Sequence, residues 1–170
     1  MADTAAIAQS LEHGSFHLEP TSSRIEFSVP HFYGLMRVKG HFEGYSATLD
    51  LDAEPAVTLT VDAASINTGN KKRDDHLRSK DFFKVAEYPV LSFSSTSAEL
   101  QGDTLRVRGT LEVLGNSVAI ELPLTISPDG NGHQVEGSLD IDQRLLGLSW
   151  SPLGITRTPT TISLRGRLLR

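Results

Sequence analysis

Regular alternation of apolar and polar residues limits the fold of this chain more than any other feature of its sequence. The alternation is clearest at 105–113 and 118–126, where every second position holds an apolar residue or a glycine. A period of two is typical of β-strands that bury one face and expose the other. Glycine-containing turns at 101–103, 114–116 and 128–132 separate neighbouring runs, and such short turns join antiparallel strands. We therefore predict an all-β antiparallel meander of about eight strands that closes or packs upon itself.

One segment, residues 70–84, departs from the alternation and holds the densest charge in the chain. A short helix is predicted there, with Asn67, Thr68 or Asn70 as its N-cap. Its apolar residues, which would pin it to one mouth of the barrel, are Leu77, Phe82 and Phe83. We predict a flexible or helical arm at 1–14, followed by one barrel domain at 15–170.

Composition excludes several classes of function. The chain has no cysteine, which rules out disulfides, thiolate metal sites and a cysteine nucleophile. Its formal net charge of −5 disfavours a nucleic-acid binder, which is usually basic, and no apolar run is long enough for membrane insertion. The N-terminal residues lack a secretory signature, so we expect a cytoplasmic protein, or a periplasmic one if a leader has been removed.

The apolar positions of the predicted strands carry no Asp, Glu, Lys or Arg over the strand centres. A barrel of about eight strands either packs solid or encloses one small ligand, and an uncharged interior suits a hydrocarbon. Glycines such as Gly40 and Gly109 occupy the same inward-facing positions as the apolar residues. They bend the strands, leave part of the interior unfilled, or do both. The predicted lining residues are Phe27, Val29, Val38, Phe42, Leu59, Val61, Leu91, Phe93, Val107, Leu111, Ile120, Leu122, Leu139 and Ile141.

Polar residues offer weaker candidates. At the barrel mouth, His31, Arg73, Asp75 and His76 are the candidates for contact with a lipid head group. The carboxylates of the charged segment, Asp74, Asp75 and Asp81, are interpreted mainly as a solvated helix face with local ion pairs. Trp150 is either core packing or an aromatic wall of the pocket. The six histidines lack a metal-binding pattern, so neither a metal nor a cofactor is expected.

Several motifs resemble the YceI family of lipocalin-like, polyisoprenoid-binding proteins. The most specific is the run from Ser65 to Asn70, continued by Arg73-Asp74, His76-Leu77, Asp81-Phe82-Phe83 and Tyr88-Pro89. The resemblance implies an extended eight-stranded β-barrel with a helix between the middle strands, a bound isoprenoid lipid, no catalytic machinery and often a homodimer. The family often places an arginine four residues before a late glycine. Here Gln143 holds that position before Gly147. Arg144, one place later, is the candidate for the role of the family arginine and is included among the predicted ligand-binding residues.

The main hypothesis is therefore a non-enzymatic protein that binds, stores or transports a long isoprenoid lipid, such as a polyprenyl chain or a quinone tail. A second hypothesis is an enzyme that acts on a bound apolar substrate, with His31 or the Asp75–His76 pair as acid or base. A third is a stress-related structural module, a dimer whose pocket has collapsed.

Overall fold

The computed structural model describes residues 11, 13–31, 36–52, 54–148 and 159–170. Within these ranges it contains one α-helix, α1 (Lys71–Arg78), and 3₁₀ turns at Pro20–Ser22, Ala63–Ser65 and Gln143–Leu146. No helix in this part of the chain has the length and apolar character needed to cross a bilayer. The strands are β1 (Ser15–Leu18), β2 (Arg24–His31), β3 (Met36–Phe42), β4 (Tyr45–Asp50), β5 (Ala56–Asp62), β6 (Ile66–Asn67), β7 (Val90–Gln101), β8 (Thr104–Val113), β9 (Asn116–Asp129), β10 (Gly132–Ile141) and β11 (Thr160–Leu169).

The strands close into an antiparallel ring. The order is β1-β4-β5-β7-β8-β9-β10-β11, and β11 returns to β1, where His17 lies opposite Leu169. β2 follows β1 along the same flank of β11 and carries β3 and the short β6 on its other side. This closed eight-stranded barrel, with one short helix between β6 and β7, confirms the predicted fold class.

The predicted turns lie between strands and use the left-handed backbone region. Gly102, Gly115 and Gly130 have φ values of 67°, 73° and 60°, a conformation that costs glycine little. They connect β7 to β8, β8 to β9 and β9 to β10. Sequence-adjacent strands therefore pair directly, and the register of each hairpin follows from its turn.

A β-bulge interrupts β7 and changes which residues face inward. Its pairing with β8 shifts between Ser95 and Ser97, and the backbone N–H of Val57 donates a hydrogen bond of 2.8 Å to Ser95 Oγ at this point. Before the bulge, Leu91 and Phe93 are buried at odd positions; after it, the buried residue is Ala98. An extra residue moves every later side chain to the other face.

The two edges of β9 are paired to different extents. On one side, the ladder with β8 runs from Val113 opposite Asn116 to Thr104 opposite Thr125. On the other, the ladder with β10 covers only 125–129. Pro123 lies just beyond the end of that shorter ladder and is exposed. Proline has no N–H to continue such a ladder.

Candidate functional site

Two clusters of buried side chains fill the two ends of the barrel. The arm-end core, near the β7–β8 and β9–β10 turns, consists of Leu11, Phe16, Leu18, Leu49, Phe93, Ala98, Leu105, Val107, Leu124, Ile126, Val135 and Leu168. The helix-end core, which lies beneath α1, consists of Ile25, Phe42, Val61, Ala63, Ile66, Leu91, Val113, Ile141 and Leu146. Leu11 is only 2% exposed, so this residue of the N-terminal segment belongs to the barrel interior.

A belt of partly buried residues connects the two cores. Five side chains pack against both clusters, and we call them the girdle: Tyr45, Leu59, Leu111, Ile120 and Leu164. They come from β4, β5, β8, β9 and β11, and none of them is fully buried. Inward-facing apolar side chains that remain partly accessible indicate incomplete filling, because packed interiors leave few voids. The girdle is therefore the part of the interior that joins the two cores without being fully buried itself.

The structure brings most of the predicted lining residues together. Phe42, Val61, Leu91 and Ile141 belong to the helix-end core, and Phe93 and Val107 belong to the arm-end core. The partly buried ones that pack against a core are Phe27, Leu59, Leu111, Ile120, Leu122 and Leu139. Val29 and Val38 face each other across β2 and β3 and belong to neither core cluster.

The inner-face glycines serve close packing rather than empty space. A Cβ built on Gly40 would lie 2.4 Å from Phe27 Cζ, and one on Gly109 would lie 2.3 Å from the Ser94 carbonyl oxygen. Both distances are too short for real contacts, so neighbouring atoms already occupy the space above these glycines. The suggestion that such glycines leave pocket volume is wrong at both positions, because a residue of the adjacent strand fills the gap.

A separate apolar cavity of about 250 Å³ lies at the arm end. Its walls come from the N-terminal segment, β4, the β4–β5 connection, β7, β8 and β9. They comprise Leu11, Leu49, Leu51, Pro55, Ala98, Leu100, Leu105 and Ile126. Sequence reasoning placed none of these residues in the pocket. The bulge in β7 hides the inward position of Ala98 and Leu100, and the bend at Glu43–Gly44 starts a new alternation in β4.

Tyr45 is another interior residue that sequence reasoning missed. It lies opposite Val61 in the β4–β5 ladder, which places it on the inner face because paired residues share a face. Its hydroxyl oxygen is buried and has no hydrogen-bond partner among the described residues, and burial raises the pKa of the phenol. The signal in the sequence is the resumed alternation at 45, 47 and 49 after the bend.

Helix α1 is fixed to the barrel by polar and apolar contacts. Asn70 is its N-cap, accepting a hydrogen bond of 3.0 Å from the Arg73 N–H. Leu77 and Phe83 pack against the helix-end core, and Phe83 meets Phe42 edge to face at a centroid distance of 6.1 Å. Of the three predicted N-cap candidates, Asn70 is the cap, and the pinning role of Leu77 and Phe83 is confirmed. Phe82 packs on His76 instead and is not among the residues packed against the helix-end core.

Asp74 corrects the interpretation of the acidic residues as a solvated helix face. Its side chain is 6% exposed and accepts hydrogen bonds from the N–H and the hydroxyl of Thr68, at 2.9 and 2.5 Å. It therefore anchors the loop before α1. Asp75 and Asp81 are exposed as expected. Adjacent residues in a helix point about 100° apart, so Asp75 faces solvent although its neighbour Asp74 is buried.

The predicted head-group residues on α1 have local partners. Arg73 donates to Thr68 Oγ1 and to the Thr68 carbonyl oxygen, at 2.8 and 2.9 Å. Hydrogen bonding to Lys71, with a further contribution from Arg78, lowers the pKa of the exposed Asp75. His76 lies 3.1 Å from Asp81 and packs edge to face on Phe82. Their contact with a head group stays a prediction.

Three further predicted site residues lie elsewhere. Arg144 is on the 3₁₀ turn after β10, where its exposed guanidinium binds both carboxylate oxygens of Asp142, at 2.6 to 3.1 Å. His31 is described only by its backbone, as the last residue of β2 and opposite Met36. Trp150 lies outside the described residues. Within the described ranges, no three carboxylate or imidazole side chains converge as metal ligands would.

Comparisons with known proteins agree with this architecture. The model of the YceI-like domain matches residues 16–168, from β1 to β11. Protein YceI of Escherichia coli O157:H7 is 30% identical over 129 residues, which cover 69% of this chain and 67% of that protein. The chain belongs to the YceI-like family.

Solved YceI-like and related structures share the fold. The crystal structure of BcnA from Burkholderia cenocepacia superimposes with a TM-score of 0.78 at 21% identity and covers 90% of this chain and 99% of that one. A polyisoprenoid-binding domain from Saccharophagus degradans, implicated in plant cell wall breakdown, gives a TM-score of 0.74 at 18% identity and covers 91% and 97%. The barrel is therefore common to proteins whose sequences have diverged widely.

Proposed function

We propose that this protein binds a long isoprenoid lipid in the interior of its barrel, and that it stores or carries this lipid without chemical change. The observation that carries the proposal is the girdle, where inward apolar side chains link two well-packed cores but remain partly accessible. Each buried methylene of such a ligand contributes roughly 0.8 kcal/mol. A polyprenyl chain or quinone tail offers many methylene and methyl groups in a narrow, flexible shape.

The charge distribution supports the same ligand class. Lys, Arg, Asp and Glu on the described strands are confined to the outer face, where Arg106 and Arg108 pair with Glu121. An ionised ligand would find no counter-charge along the inner positions, and burial of an unpaired charge is costly. The Saccharophagus degradans domain that shares the fold binds polyisoprenoids, which is consistent with an apolar ligand here.

The contacts on α1 speak for binding rather than catalysis. A general base needs a pKa near the working pH, whereas hydrogen bonding to Lys71 lowers the pKa of Asp75 below its ordinary range. Asp75 also points to solvent, where it pairs with Lys71 and Arg78. The Asp75–His76 pair is therefore poorly placed for acid–base work on a ligand inside the barrel.

Lipid extraction of protein purified without detergent, followed by mass spectrometry, tests the proposal. Ile120→Trp fills the girdle, so we expect it to lower the amount of co-purified or added polyprenyl quinone several-fold. Ala119→Trp is the matched control, since Ala119 precedes Ile120 on β9 and is exposed. If wild-type protein yields no isoprenoid and binds no added quinone at micromolar concentration, the proposed function is wrong.

A further inference from the structure

The girdle contains one polar atom that its surroundings leave unsatisfied. The Tyr45 hydroxyl oxygen is buried, and none of the residues that the structure describes hydrogen-bonds to it. The ring packs against both the arm-end core and the helix-end core. A buried hydroxyl without a partner costs roughly 1–3 kcal/mol, so phenylalanine would be the cheaper residue if only packing mattered.

Three other hydroxyls that are buried or half-buried have partners. The Arg167 N–H donates to Ser23 Oγ at 3.2 Å, and the Val57 N–H donates to Ser95 Oγ at 2.8 Å. Thr160 Oγ1 donates to Gln143 Oε1. These three hydroxyls stabilise the barrel wall itself. Tyr45 differs because it lies in the girdle, where the ligand is proposed to bind.

We propose that Tyr45 is a ligand-recognition residue whose hydroxyl donates a hydrogen bond to an acceptor oxygen on the bound molecule. The inference rests on the proposed function and narrows its ligand class. The preferred ligand is an isoprenoid that carries a carbonyl or hydroxyl oxygen, and this oxygen lies between the two cores. A pure hydrocarbon would fill the same volume and leave the phenol unsatisfied.

The girdle allows this hydrogen bond to form when a ligand enters. Neighbouring atoms of the protein cover the Tyr45 oxygen. The other girdle residues are leucines and an isoleucine with partial exposure, so they have room to change rotamer. A ligand that separates them uncovers the oxygen and supplies its partner. A site built to hydrogen-bond a ligand oxygen discriminates against analogues that lack it.

Tyr45→Phe removes the hydroxyl and keeps the ring, which makes it the decisive variant. The probes are a polyprenyl quinone, a polyprenyl alcohol and squalene, an isoprenoid hydrocarbon without oxygen, each titrated by calorimetry. We expect Tyr45→Phe to weaken binding of an oxygen-bearing probe about three- to tenfold and to leave squalene unchanged or tighter. The quinone and the alcohol separate a carbonyl acceptor from a hydroxyl.

Tyr88→Phe is the matched control, because Tyr88 is 37% exposed and contributes to neither core. It should bind all three probes as the wild type does. Thermal unfolding checks the fold, and ligand-free Tyr45→Phe should be at least as stable as wild type because the orphaned hydroxyl is gone. Equal affinity of Tyr45→Phe and wild type for both oxygen-bearing probes would overturn the inference alone. If wild type binds squalene but neither oxygenated probe, lipid binding stands and the inference falls; if it binds none of the three, both fall.

Discussion

β9 contributes residues of the same kind to two regions of the interior that are filled very differently. At the arm end, Ile126 is 1% exposed and belongs to a closely packed core. Six residues earlier, Ile120 faces the same interior but stays partly exposed within the girdle. The alternating pattern is identical at both positions. The face of the strand on which a side chain lies follows from the alternation in sequence. How tightly that side chain is packed depends on the residues that the other strands place around it.

The sharpest test of this comparison is the same truncation at both positions. We expect Ile126→Ala to lower the free energy of unfolding by about 3–4 kcal/mol, since it leaves a cavity in a packed core. Ile120→Ala should cost about 1–2 kcal/mol, because part of its surface is already accessible. Urea denaturation of the two variants measures both values. Equal losses would show that the girdle is packed as tightly as the arm-end core.

A second test asks how the helix end is closed. Asp74 is buried against Thr68, so Asp74→Ala leaves the Thr68 N–H without its acceptor and should cost about 1–3 kcal/mol. Asp75→Ala is the adjacent control and should leave stability nearly unchanged, since its ion pairs are exposed and screened by solvent. Chemical denaturation with hydrogen exchange on 66–78 measures both effects. A larger loss for Asp75 would contradict the anchoring role of Asp74.

The third and smallest expected effect concerns pH at the arm end. His133 is buried beside Phe16. Its burial, together with the nearby positive charge of Arg170, lowers the pKa of the imidazole below the ordinary value of about 6.5. Between the lowered pKa and that value, the unfolded chain binds more protons than the folded one. Stability therefore rises with pH in this window and falls on acidification.

His133→Gln removes the titrating group. Its unfolding free energy should vary less between about pH 5 and 7 than that of the wild type, as measured by urea denaturation at several pH values. An undiminished slope would place the pH dependence at other residues. Because His133 lies at the arm end, this test reports on the pH dependence of the arm-end core and not on the girdle.

The sequence was sufficient to predict the barrel because its signals are local. Alternation marked most of the strands, and Gly102, Gly115 and Gly130 marked turns between them. Asn70 was one of three residues predicted as the N-cap of α1. The inward direction of Leu111 and Ile120 follows from the same parity. Such features need only the residues within a strand or a turn.

Other features depend on contacts between distant segments and were not predicted. Phe27 lies above Gly40 because of the β2–β3 register, which alternation alone does not give. The burial of Asp74 depends on its hydrogen bonds with Thr68, six residues earlier in the chain. Tyr45 was missed because the bend before β4 ends one alternation and begins another. Sequence analysis therefore predicted an apolar interior, but it did not predict the buried, unpaired hydroxyl of Tyr45 within it.

The bulge in β7 has a consequence for how much sequence change this wall tolerates. Because of the extra residue, odd-numbered positions face inward before the bulge and even-numbered positions face inward after it. Deleting a single residue between Ser95 and Ser97 would restore a single alternation and turn either Leu91 and Phe93 or Ala98 and Leu100 out to water. At this position of β7, a single residue decides which half of the strand faces the interior.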